Sequence, residues 1–182
     1  MDPRDNPYAP GTGSPPPELA GRDEIIERAS VALDRIRAKR AARSLILYGL
    51  RGVGKTVVLN KISLDAKARG FVTVPIEAPE ERSLPSLLAP ALRAALIRLN
   101  RGEALRSAAL RSVKVLSSFV NALKIKFDDI ELSTEFGTEK GIADSGDLEL
   151  DLSDLLTQIS HAAAKRQTAV VLAIDELQYL PK

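Results

Sequence analysis

The run from Gly49 to Thr56 constrains this sequence more than any other part of it. It reads GLRGVGKT and fits the pattern G-x-x-x-x-G-K-[ST] at every fixed position. The apolar run 44–48 precedes it and predicts a buried strand. A helix is predicted from Lys55 to about Arg69, with Gly70 just after its end. A strand, a glycine-rich turn and a helix in this order predict a loop that wraps around phosphate groups.

The chemistry of phosphate binding explains each residue type in this loop. Glycines let the backbone curl so that N–H groups point inward, and the helix N-terminus adds partial positive charge. We expect Lys55 to reach the β- and γ-phosphates of a nucleoside triphosphate and Thr56 to offer its hydroxyl to Mg²⁺. The predicted nucleotide-binding residues here are Gly49, Arg51, Gly52, Val53, Gly54, Lys55, Thr56 and Val57.

A second apolar run, 168–174, ends in the acidic pair Asp175 and Glu176. Ligands of open α/β sheets bind at the carboxyl ends of the strands, so this pair is expected at that edge. We predict that Asp175 holds Mg²⁺ with Thr56, and that Glu176 is the catalytic base that orients or deprotonates the attacking water. Gln178 has two open interpretations, a surface role and a sensing role. The single histidine, His161, is expected at a helix end or on the surface rather than in catalysis.

Predicted strands at 44–48, 71–76 and 168–174 alternate with helices, the first of which begins near Asp23. This alternation predicts an α/β domain with a parallel sheet over residues 21–182. Pro75 suggests that the second strand lies near the sheet edge or ends there. The proline- and glycine-rich residues 1–20 predict an extended arm. Residues 84–151 contain apolar helical stripes and then an acidic stretch, interpreted as an insertion.

Composition excludes several classes of protein. The net charge of +2 provides no strong field for nucleic acid or an anionic membrane, and the absence of cysteine excludes disulfides and thiolate metal sites. No apolar run approaches the roughly 20 residues that span a bilayer. A cytoplasmic protein is therefore expected. The basic stretch 35–43 is interpreted as a solvated helix end, with a nucleic-acid patch as the alternative.

These motifs together resemble AAA-type P-loop ATPases, in particular the branch with origin-recognition-complex-like and STAND ATPases. The resemblance covers roughly residues 6–180 and has three parts. They are the box Gly21-Arg22-Asp23-Glu24, the P-loop (Walker A), and the Walker B strand Ile174-Asp175-Glu176-Leu177-Gln178. The resemblance implies a three-layer P-loop NTPase core, Mg-ATP as ligand, and an adenine side formed by Arg22 and the arm around Tyr8.

Adenine is also favoured because the guanine-reading pattern Asn-Lys-x-Asp does not occur; Asn60-Lys61-Ile62-Ser63 fails at its last position. The family further implies a fourth strand with a polar sensor, an arginine finger and a helical lid. These parts are expected after Lys182, so the sheet should be incomplete beyond the Walker B strand and hydrolysis weak or absent. The P-loop strand would then lack sheet neighbours. The alternative sheet order places the P-loop and Walker B strands side by side, as in kinase- and GTPase-like proteins.

The function expected from this resemblance is an ATP-dependent switch or regulator, which binds ATP or ADP and acts on an unknown protein partner. A P-loop kinase-like phosphotransferase and a non-enzymatic nucleotide-binding interaction domain remain as alternatives. The resemblance also allows nucleic acid as a partner, without support from the net charge, and no membrane association is expected.

Overall fold

The computed structural model describes residues 21–80, 82–99, 106–123 and 137–180, and of residues 106–109 only the backbone. The arm 1–20 with Tyr8, and the acidic stretch 124–136, lie outside these ranges. The helices are α1 (Asp23–Arg37), α2 (Lys55–Ala68), α3 (Leu84–Leu99), α4 (Arg106–Ala122) and α5 (Leu148–Lys165). The strands are β1 (Val72–Glu77) and β2 (Val170–Asp175), followed by a 3₁₀ turn at Leu177–Tyr179. The chain divides into two compact units, Met1–Gly70 and Phe71–Lys182.

The first unit is built on the pair of helices α1 and α2. Ala29 and Leu33 of α1 are buried, as are Val58 and Ala66 of α2. The helix α2 ends as predicted, with Gly70 in the left-handed region at a φ of 85°.

Backbone and side-chain hydrogen bonds hold the C-terminal ends of both helices in the first unit. The Arg69 guanidinium donates to the Ser30 carbonyl at 3.1 Å and to Asp34 Oδ1 at 2.7 Å, which ties the end of α2 to α1. After α1 the chain turns back at Lys39, whose φ is 56°. The Arg40 N–H then donates to the Arg35 carbonyl at 2.8 Å. This bond and a second one from the Lys39 N–H satisfy two carbonyls at the helix end that have no partner within the helix.

The apolar run 44–48 does not form the buried strand that its sequence predicts. It has no regular secondary structure, and the side chains of Ile46 and Tyr48 are 77% and 93% exposed. In the described part of the chain the only sheet pairs β1 with β2, so this run has no neighbouring strand. The two-stranded parallel sheet among the described residues fits the expected incomplete P-loop NTPase core. Without a neighbour, neither ladder hydrogen bonds nor a covering layer is available to it.

The sheet of the second unit is parallel, as predicted. Its register runs from Val72 opposite Val170 to Glu77 opposite Asp175, so both strands end at the same edge. The N–H groups of Val72 and Ala78 donate toward β2, and amides alternate along a strand, so Pro75 faces away from β2. Pro75 therefore removes no ladder bond, and among the described residues it faces the open edge of the sheet, the first of the two predicted alternatives.

Three helices share one apolar core with this sheet: α3 packs on β1, α5 packs on β2, and α4 packs on both of these helices. Most described apolar positions of the predicted stripes in 84–151 are buried, and Leu123 is partly buried against the same core. The fully buried large side chains include Leu92, Leu96, Leu99, Leu116, Phe119, Leu155 and Ile159. They lie in one cluster with Val74 and Ile76 of β1. Within the described ranges, none of the helices is both long and apolar enough to cross a bilayer.

The loop before α5 is held by a buried carboxylate that the sequence did not single out. Asp151 is 1% exposed. It accepts hydrogen bonds from the Ser145 N–H, the Ser145 hydroxyl and the Gly146 N–H at 3.0, 2.8 and 2.8 Å. The Ser118 hydroxyl of α4 donates to the Glu139 carbonyl at 2.7 Å. These bonds satisfy the buried charge and fasten the loop to the helices.

Candidate nucleotide-binding site

The glycines of the loop 49–54 adopt conformations that other residues rarely take. Gly49, Gly52 and Gly54 have φ values of 151°, 81° and 85°. A side chain at Gly49 would also meet the Val53 side chain at 3.4 Å, which is a tight contact. Gly54 is the N-cap of α2, so the curled turn leads directly into the helix. The predicted glycine-rich turn before the helix is therefore confirmed.

Positive charge converges on this turn from two sources. The first amides of α2 have no partner within the helix and carry its partial positive charge. The Lys55 ammonium lies across the loop, where it donates to the Gly49 carbonyl at 3.1 Å and to the Leu50 carbonyl at 2.9 Å. Thr56 is the second residue of α2 and stands beside Lys55 in sequence. Unpartnered helix-start amides, an ammonium and a hydroxyl at one helix start suit a phosphate chain with a bound cation.

Arg22 contacts the loop directly. Its Nη2 donates to the Val53 carbonyl at 2.6 Å, across 31 residues of sequence. Sequence reasoning placed Arg22 on the adenine side and missed this contact with the loop. No sequence signal could have found it, because the acceptor is a main-chain carbonyl, which every residue carries.

A cavity of about 360 Å³ lies beside the loop within the first unit. Ile25 and Arg28 of α1, the run 45–48, and Val53 and Lys55 contribute to its walls. Its volume lies in the range of small-molecule sites, about 300–1,000 Å³. The mixture of apolar walls and cationic side chains suits a ligand that has a flat apolar ring attached to an anionic group.

The acidic pair lies at the end of β2, as predicted. Asp175 is the last residue of the strand, and its Oδ1 accepts the Glu176 N–H at 2.9 Å. Glu176 has a left-handed φ of 55°, a strained conformation that is frequent at functional sites. The Gln178 amide donates to Glu176 Oε2. Gln178 thus contacts the predicted base, a contact that spacing alone did not indicate.

A second cavity, of about 390 Å³, opens at the carboxyl ends of both strands. Glu77, Glu80, Glu176 and Tyr179 lie in its wall. Both carboxylates of the acidic pair are half-buried. His161 is exposed on α5, as expected for a surface histidine.

The phosphate loop and the acidic pair belong to different compact units. A magnesium ion shared by Thr56 and Asp175 therefore stays a prediction. The residue types fit it, because hydroxyl and carboxylate oxygens are the ligands that Mg²⁺ prefers. Among the described residues, no group of three or more acidic, histidine or cysteine side chains forms a metal site on its own.

A family model described as an AAA ATPase domain matches residues 18–182. The chain therefore belongs to the AAA ATPase domain family. Membership identifies a nucleotide-binding domain of the P-loop ATPase class, in agreement with the loop, the helix that follows it and the parallel strands. No curated protein and no solved structure matches the chain. The narrower resemblance to origin-recognition-complex-like and STAND ATPases stays a prediction.

Proposed function

We propose that this chain binds Mg-ATP at the loop from Gly49 to Thr56 and acts as an ATP-dependent switch on a protein partner. The observation that carries the proposal is the loop itself. Three left-handed glycines lead into the start of α2, and the Lys55 ammonium lies across the turn. Backbone amides and an ammonium that lie together at a helix start favour the binding of a multiply charged anion.

The base of the nucleotide would occupy the cavity beside the loop. Ile25 and the run 45–48 provide apolar surface there, and Arg28 provides a cation at its wall. A purine ring on an apolar wall, with its phosphates on the adjacent loop, matches this distribution of charge. The missing guanine-reading motif favours adenine. A contribution from Tyr8 remains part of this proposal.

The acidic pair would serve the triphosphate end. Asp175 and Thr56 would hold Mg²⁺, which neutralises charge on the β- and γ-phosphates when it is bound. Glu176 would orient the attacking water and accept its proton. Since the Gln178 amide already donates to one oxygen of Glu176, the other oxygen is left for the water.

Mg-ATP is expected to bind the purified chain and to stabilise it. At an ATP concentration 100-fold above its Kd, binding to the folded state alone adds about 2.7 kcal/mol. Isothermal titration calorimetry would measure the affinity, and thermal unfolding the stabilisation. GTP and ATP with excess EDTA serve as controls and should bind more weakly. If ATP produces neither heat nor a thermal shift, the proposal is wrong, and tighter binding of GTP would contradict the assignment of adenine.

Replacing the proposed base, in Glu176→Gln, should separate binding from hydrolysis. The amide keeps the shape of the side chain but cannot accept a proton, so Mg-ATP affinity should stay within about twofold while hydrolysis falls by about 100-fold. Release of phosphate from [γ-³²P]ATP under single-turnover conditions measures the rate. Glu80→Gln is the matched control, because Glu80 lies in the wall of the same cavity. A measurable parent rate that Glu176→Gln leaves unchanged would remove Glu176 from catalysis.

A further inference from the structure

We infer that Arg22 is a positioning residue for phosphate binding, and that it acts through the peptide bond between Val53 and Gly54. This inference rests on the proposed function, because it describes how the phosphate loop is prepared for its ligand. It differs from the adenine-side role that the family resemblance implies for Arg22.

The planar peptide bond fixes the direction of the Gly54 N–H relative to the Val53 carbonyl. The described residues contain no cis peptide, so the Val53 carbonyl and the Gly54 N–H point in opposite directions. Arg22 Nη2 contacts that carbonyl at 2.6 Å. The Gly54 N–H must therefore point away from Arg22. Gly54 is the N-cap of α2, so this N–H is one of the amides that surround a phosphate at the helix start.

Without a restraint, this peptide could rotate. Gly54 has a φ of 85° and lacks a side chain, so both peptide orientations are accessible to it at low cost. Rotation would turn the Val53 carbonyl, the negative end of the peptide dipole, toward the phosphates. A hydrogen bond from a guanidinium is about twice as strong as one between neutral groups. Arg22 is thus suited to hold the productive orientation.

The backbone of Arg22 is itself held in place. Its carbonyl accepts the N–H groups of Ile25 and Ile26 at 3.1 and 3.0 Å, which anchors the residue at the start of α1. A guanidinium on an anchored backbone loses less freedom on contact than one on a loop. The start of α1 therefore helps to set the orientation of one amide of the loop, that of Gly54.

The positioning role and the adenine-side role predict different ligand dependence. A residue that orients a phosphate-binding amide affects every ligand with the same phosphates, whether or not it carries a base. A residue on the adenine side affects ATP and leaves inorganic tripolyphosphate unchanged. Comparison of these two ligands therefore separates the two roles.

The experiment measures Kd values for Mg-ATP and Mg-tripolyphosphate by isothermal titration calorimetry. Arg22→Ala should weaken both ligands by the same factor, about tenfold, as expected for loss of one hydrogen bond from a charged group. Arg37→Ala is the matched control. Arg37 is an exposed arginine in the last turn of the same helix, and it does not line the cavity beside the loop. It should change either Kd by less than about threefold, since only a long-range charge is lost.

Arg22→Lys tests the geometry separately from the charge. A single ammonium can donate to the Val53 carbonyl but lacks the planar fork, so part of the affinity should return, equally for both ligands. The melting temperature of the nucleotide-free chain checks that the variants fold. If Arg22→Ala does not fold, Arg22→Lys is compared with the parent instead. Its smaller loss of affinity should still be equal for Mg-ATP and Mg-tripolyphosphate.

Three results would overturn the inference. A loss confined to ATP would place Arg22 on the adenine side instead. Equal losses in Arg22→Ala and Arg37→Ala would reduce the role of Arg22 to charge alone, and unchanged affinities in Arg22→Ala would remove it from binding. If the parent chain binds neither ligand, the proposed function itself fails, which is a distinct outcome.

Discussion

Replacing Lys55 by alanine is expected to weaken Mg-ATP binding by about 100-fold. In the structure its ammonium donates to the carbonyls of Gly49 and Leu50, so it already lies at the loop. In the nucleotide complex it would instead donate to phosphate oxygens. Two hydrogen bonds between charged groups, at about 1.5 kcal/mol each, correspond to this factor. Calorimetric titration of the parent and the variant measures it.

Lys61→Ala is the control for this prediction. Lys61 lies on the same helix and forms an exposed ion pair with Asp65 at 2.8 Å, one turn further along α2. Its loss should leave the Kd for Mg-ATP within about twofold, because exposed pairs are worth little and the site is not touched. If Lys55→Ala binds ATP as tightly as the parent, the assignment of the phosphate site is wrong.

Phe119→Ala is expected to lower the free energy of unfolding of the second unit by about 3–5 kcal/mol. The Phe119 side chain is fully buried on α4, within the cluster that joins α3, α5 and β1. Truncation removes its apolar contacts and leaves a cavity that close-packed neighbours fill only in part. Urea unfolding followed by circular dichroism gives the change in midpoint.

Ile97→Ala provides the comparison for Phe119→Ala, because it also truncates a large apolar side chain on a helix of this unit. Ile97 is 52% exposed, so its loss should cost less than about 1 kcal/mol. The pair of variants also bears on the interpretation of residues 84–151 as an insertion. A small effect of Phe119→Ala would mean that α4 contributes little to the core. A large effect would mean that the helical part of this segment is integral to it.

Local features of this chain were predictable because their causes lie within a few neighbouring residues. The phosphate loop depends on glycines whose left-handed conformations only glycine adopts cheaply, so its pattern identifies it without knowledge of the rest of the fold. The ends of α2 and β2 follow in the same way. Gly70 stops the helix, and the apolar run before Asp175 forms a strand with the carboxylate at its end.

The run 44–48 shows where this reasoning fails. Its composition is that of a buried strand, yet it is exposed and has no neighbouring strand among the described residues. A strand forms only where neighbouring strands provide hydrogen bonds and other elements pack against it. The residues of the run itself do not show whether these neighbours are present. For Asp151 the error is the opposite, because a residue whose sequence context indicates exposure is in fact buried. Its carboxylate is satisfied there by three hydrogen-bond donors of Ser145 and Gly146.

The sequence by itself determined the glycine-rich turn before α2, the acidic end of β2 and membership of the AAA ATPase domain family. Periodicity likewise indicated the buried faces of α3 and α4. Only the tertiary structure decided which groups meet. It placed the Arg22 guanidinium on the Val53 carbonyl and the Gln178 amide on Glu176. The physical reason is that such contacts join a side chain to whatever atom folding brings near it, and that atom leaves no mark in the pattern of residues.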